Sequence, residues 1–65
     1  MIPGQLVLVH LGDFDELGRK RFAAGVLKRR LPEGHILIEL AGRLAEFRLY
    51  NGEWQIVCYR REKVA

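Results

Sequence analysis

Sixty-five residues suffice for one domain, residues 1–65, and a chain this short buries only ~60% of the surface its unfolded form exposes. Cys58 is the only cysteine, so no disulfide forms within the chain, and one Cys with two His (His10 and His35) does not complete a closed tetrahedral metal site. The net charge of +3, from 11 Lys and Arg against 8 Asp and Glu, is compatible with nucleic acid without requiring it.

The first residues, Met1-Ile2-Pro3-Gly4, lack the basic stretch of a secretory leader, and no apolar run approaches the ~20 residues of a membrane span. A reducing, cytoplasmic setting is expected, in keeping with the unpaired cysteine. Gln5 to His10 is rich in Val and Leu after a Pro-Gly break and reads as a first strand. Leu11 to Gly18 holds two glycines and three acids and reads as a loop. Arg21 to Leu31 is a long second strand interrupted by Gly25, which suggests a bulge or a sharp bend. Pro32-Glu33-Gly34 is a turn. A three-residue loop there sets Leu31 against His35, a two-residue loop shifts the pairing by one, and the residues leave both open. His35 to Leu40 is the third strand, Ala41-Gly42 a turn, and Arg43 to Tyr50 and Glu53 to Arg60 the last two strands. Leu40, Leu44 and Phe47 also fit helical spacing, but Gly42 lies inside that stretch and Asn51-Gly52 follows it. Asn-Gly is a strong hairpin signal.

A two-residue loop at Asn51-Gly52 pairs Tyr50 with Glu53, Leu49 with Trp54, Arg48 with Gln55, Phe47 with Ile56, Glu46 with Val57 and Ala45 with Cys58. Side chains alternate across a strand, so one face carries Leu49, Trp54, Phe47, Ile56, Ala45 and Cys58, all apolar. Cys58 is thereby expected in the core as a packed small hydrophobe. The other face carries Arg48, Tyr50, Glu53, Gln55, Glu46 and Val57, with Leu44 and Tyr59 beyond.

Five strands in about sixty residues, a long loop after the first and a glycine-kinked second strand resemble a five-stranded SH3-like barrel. The fold class expected is therefore all-β. Tudor, KOW and integrase C-terminal domains share this architecture, which hosts many functions. Gly52 to Tyr59 (GEWQIVCY) is similar to the tryptophan strand of WYL domains, with Gln55 and Ile56 in place of that family's Tyr-Leu. Pro32-Glu33-Gly34 and Phe47-Arg48-Leu49-Tyr50 are similar to a turn and to the Val-Gln-Ile-Tyr active-site strand of the type B dihydrofolate reductases, with Arg48 where that family has its substrate-contacting glutamine. That resemblance implies a small oligomeric enzyme with a site on a symmetry axis.

The residues themselves point to binding more than to catalysis. The chain has no serine and no threonine, and no histidine is placed beside Cys58. Asp13, Asp15 and Glu16 fall short of a calcium loop in number and spacing, and His10 and His35, each at a strand end, are expected on the surface. No metal or cofactor is implied. The basic runs Lys28-Arg29-Arg30 and Arg60-Arg61 (with Lys63), together with Arg48, Tyr50 and Tyr59, are the candidate contact residues. Tyr and Arg anchor protein interfaces, and they also stack on bases and meet phosphates. The expectation is a self-associating module that contacts nucleic acid or a partner protein. The Leu44, Tyr50, Val57 and Tyr59 face is the one on which that contact is expected to fall.

Overall fold

A computed structural model describes residues 1–61. It has five strands and one short 3-10 turn: β1 (Leu6–Phe14), β2 (Lys20–Arg30), the turn Pro32–Gly34, β3 (Ile36–Leu40), β4 (Arg43–Tyr50) and β5 (Glu53–Tyr59). The strands pair in chain order and close into a barrel compatible with an SH3-like fold. Consecutive neighbours are antiparallel. With an odd number of strands the first and last then run the same way, and β1 meets β5 in parallel through Val9–Trp54 and His10–Gln55.

Turn chemistry places the strand ends. Asn51 and Gly52 both have positive φ, and so do Ala41 and Gly42, as two-residue hairpin loops require to match the twist of their strands. At the β2–β3 connection the Leu31 N–H donates to the His35 carbonyl at 2.8 Å, so the three-residue loop, with Leu31 opposite His35, is the one formed.

The barrel interior is packed by Val7 and Val9 of β1, Leu27 of β2, Ile36 and Ile38 of β3, and Ala45 and Phe47 of β4, with Leu11, Leu40, Trp54 and Ile56 against them. Gly25 lies at a point of close approach. A Cβ there would enter the Ile38 Cγ2 methyl, and would stand 2.7 Å from Leu40 Cδ2 and 3.0 Å from the Glu39 carbonyl oxygen. Gly25 itself pairs regularly with Val7. The irregularity of β2 falls instead at Lys28, the extra residue between the Leu27–Ile38 and Arg29–Leu37 pairs. β1 has another between His10 and Phe14.

A bulge in β5 corrects the expected facing of the last hairpin. Tyr50–Glu53, Leu49–Trp54, Arg48–Gln55 and Phe47–Ile56 pair as the turn dictates, but the next pairs are Glu46–Cys58 and Ala45–Tyr59. Val57 is the additional residue. One extra residue shifts every later side chain relative to the partner strand, and Cys58 is exposed rather than packed in the core. Leu49, beyond the barrel at the hairpin tip, is also exposed, whereas Leu44 is buried.

Two outcomes test this packing. Gly25→Ala is expected to destabilise the fold by about 2–3 kcal/mol through overpacking, read as a lowered midpoint in urea denaturation. Cys58 is expected to react with one equivalent of a thiol reagent in the native protein, and a requirement for denaturant would contradict the bulge.

Candidate functional site

The β2–β3 turn and the end of β5 frame a polar cleft of about 490 Å³, lined by Arg29, Arg30, Leu31, Pro32, Glu33, His35, Glu46 and Arg60. Three of the basic residues singled out from the sequence, the adjacent Arg29 and Arg30 and the distant Arg60, meet here. Arg29 and Arg30 arrive on the last residues of β2, and Arg60 follows β5, where its N–H continues the ladder to the Leu44 carbonyl at 2.8 Å. Arg30 donates through Nη2 to the Met1 carbonyl at 2.9 Å, which ties the N-terminal segment to the cleft.

Glu46 organises the floor. One of its carboxylate oxygens accepts from Nδ1 of His35 at 2.5 Å and the other from Nη1 of Arg60 at 3.2 Å. His35 lies two residues from Leu37, which pairs directly with Glu46, so the two are diagonal neighbours on one sheet face, within reach of long side chains. The hydrogen bond from His35 holds the Glu46 carboxyl below its ordinary value of 4.5, against the opposing effect of desolvation, and Arg60 adds to the lowering.

A second cleft of about 310 Å³ shares Arg30, Leu31 and His35 with the first, and continues to Met1, Gly34, Ile36 and the half-buried Trp54. An arginine-lined pocket thus adjoins an apolar one with an indole in its wall. The combination suits a ligand carrying both an anionic group and a flat apolar one.

The other sequence-derived candidates lie elsewhere. Lys28 faces Glu39, with Nζ 3.4 Å from its carboxylate. Arg48 stands over the Tyr50 ring at 5.4 Å, at the β4–β5 hairpin tip, and Tyr59 is covered by the Arg43 guanidinium at 4.0 Å. Arg61 is exposed after β5, and Lys63 lies outside the described residues. The Leu44, Tyr50, Val57 and Tyr59 surface is therefore not one open face, since Leu44 is buried and Tyr59 carries Arg43.

His35, Glu46 and Trp54 are site residues that the sequence reading passed over. The register of the Ala41-Gly42 hairpin, which pairs Leu40 with Arg43, carries the signal that could have joined His35 to Glu46.

Both histidines depart from the surface positions expected of them. His35 is half-buried, and His10 is buried against the Phe22 and Phe14 rings, at centroid distances of 5.3 and 6.3 Å. Among the described residues His10 Nε2 has no hydrogen-bond partner.

The loop acids are committed locally. Asp15 accepts from the N–H groups of Leu17 and Arg19, both at 2.9 Å, and from the Arg19 side chain at 3.0 Å. The Arg19 backbone N–H is the largest cause of its lowered pKa. Asp13 pairs with Arg21. Among the described residues no cluster of three or more His, Cys, Asp or Glu could hold a metal ion, and no helix is long and apolar enough to cross a membrane.

No family model, curated protein or solved structure matches the chain.

The Glu46 arrangement has a pH consequence. A carboxyl whose pKa is lower folded than unfolded contributes stability that is present above the unfolded value and lost as pH falls through the folded one. Between about pH 5 and about pH 3 the protein is expected to lose stability more steeply than Glu46→Gln does. Asp15 and Glu53, also lowered, leave the variant with a residual slope. Urea denaturation across that range checks it; equal slopes would count against the His35–Glu46–Arg60 arrangement.

Proposed function

We propose that the chain is a small binding module for single-stranded nucleic acid. The observation that supports this reading is the union of Arg29, Arg30 and Arg60 in one cleft that adjoins the pocket walled by Trp54. Arginine forks meet phosphate oxygens in bidentate geometry, and an indole offers a stacking surface that accepts any base. A flexible single strand can place a phosphate in one cleft and turn its base into the other. A duplex, whose bases are already stacked, cannot.

The reading keeps the basic and aromatic character expected from the sequence but moves its centre. Arg29, Arg30 and Arg60 are the phosphate contacts and Trp54 the stacking residue. Glu46 is a positioning residue that holds Arg60 at the rim. Arg61, next along the chain, extends the positive surface. Arg48, Tyr50 and Lys28 line neither of the two clefts and are secondary.

Neutralising three phosphates of a single strand gives a slope of about −2 in log K against log salt. Trp54 is the only tryptophan, so its emission reports the pocket directly. Titration with a short single-stranded oligonucleotide at low salt is expected to quench Trp54. Arg29→Ala with Arg30→Ala is expected to reduce the salt slope to about a third. Arg48→Ala is expected to leave it nearly unchanged. Absence of binding at low salt, or equal losses in both variants, would overturn the reading.

A further inference from the structure

The outward face of β1 and β2 carries a strip of apolar side chains that the arginine cleft does not use. Val7 and Val9 point into the core, so by alternation Leu6, Leu8 and His10 point outward. Their cross-strand partners are Val26, Ala24 and Phe22, and Phe14 follows opposite Lys20. Leu6 is 68% exposed, Leu8 63%, Phe14 60% and Phe22 41%. Those four alone leave on the order of 500 Å² in water, at the upper end of the largest apolar patch on an ordinary monomer.

The strip has a polar margin on both sides. On the β5 side Lys20 donates to Glu53 at 3.0 Å, and Gln55 stands beside His10. On the β3 side Lys28 faces Glu39, which pairs with Val26. An apolar centre inside a polar rim is the anatomy of a protein interface. Each margin holds one cation and one anion already paired, so the strip presents no excess of either sign to a nucleic acid or to a strongly charged partner.

We propose that this face binds a second copy of the chain, forming a two-fold dimer by packing the β1–β2 strips of two barrels against each other. Two features single out a copy as the occupant. The strip is apolar along both strands, so a copy supplies the surface it lacks. Each rim pair contains both signs, so a two-fold can set lysine against glutamate across either margin without opposing like charges. The area also fits. A stable interface takes ~800 Å² from each partner; the exposed apolar strip provides over half and the rim the remainder. The buried His10 ring, wedged against Phe22 and Phe14, stiffens the centre, so little side-chain freedom is lost there on docking.

Sedimentation equilibrium on the full chain tests the proposal. A dimer with a dissociation constant in the micromolar range or tighter is expected. Leu8→Glu places a carboxylate in the middle of each strip and is expected to raise that constant by roughly a hundredfold or more. Leu49→Glu, equally exposed but at the β4–β5 hairpin tip, is expected to leave the dimer intact. Urea midpoints for both variants show whether each remains folded. If Leu8→Glu does not fold, Leu6→Lys at the end of the strip takes its place and is expected to weaken the dimer. A wild-type monomer at high micromolar concentration would overturn the proposal. So would a stoichiometry other than two, or dissociation by Leu49→Glu to the same extent as by Leu8→Glu.

Discussion

Closing five strands around a core cluster of seven buried apolar residues leaves little spare volume, and that closure conditions the rest of the molecule. β2 lies tight against β3 at Gly25, where the absence of a side chain leaves room for Ile38 and Leu40. A tightly curved sheet also cannot keep every residue in a regular ladder. Strands shed the mismatch as bulges, which sharpen the local bend. Here the surplus residues are Lys28 and Val57, with a further irregularity after His10.

Those bulges decide what the surface can do. Without the extra residue at Val57, Cys58 would lie over the core and the chain would leave β5 in the opposite facing. With it, Arg60 comes to the same end of the barrel as the Arg29-Arg30 terminus of β2, and Glu46 lies between Arg60 and His35. Like charges gathered in one cleft repel, and the carboxylate among them offsets part of that repulsion while holding two of the side chains in place. The polar cleft is in this sense a by-product of barrel curvature.

The apolar strip of β1 and β2 has the complementary origin. A small barrel has too few interior positions for a chain with 49% hydrophobic residues, and the excess must face outward. On β1 and β2 it forms one strip, with Leu6, Leu8, Phe14 and Phe22, and on β4 and β5 it includes Leu49, Tyr50, Val57 and Tyr59. Other outward positions of β3 and β4 carry Glu39 and Glu46 beside the buried Leu37 and Leu44. Two surfaces of different chemistry result, a polar cleft at one end of the barrel and an apolar strip on its side. They share no residue.

The positions of the last four strands, the three short connections and the register near Asn51-Gly52 were legible in the residues, because each rests on chemistry within a few positions. These are positive φ at Asn-Gly and at Ala-Gly, the fixed φ of Pro32, and alternation at period two. The core positions of Ala45 and Phe47 followed from the same pattern. β1, expected to end at His10 before a loop, instead runs on to Phe14. What lay beyond reach depended on curvature: where the ladder slips, which way Cys58 faces, whether Leu44 is covered, and whether His10 is enclosed by Phe14 and Phe22. The cleft needed two strand ends, more than twenty-five residues apart in sequence, to arrive at one place. Local propensity contains no term for that distance. The sequence alone settled an all-β chain with its turns, and barrel closure decided which of its basic and apolar residues stand together.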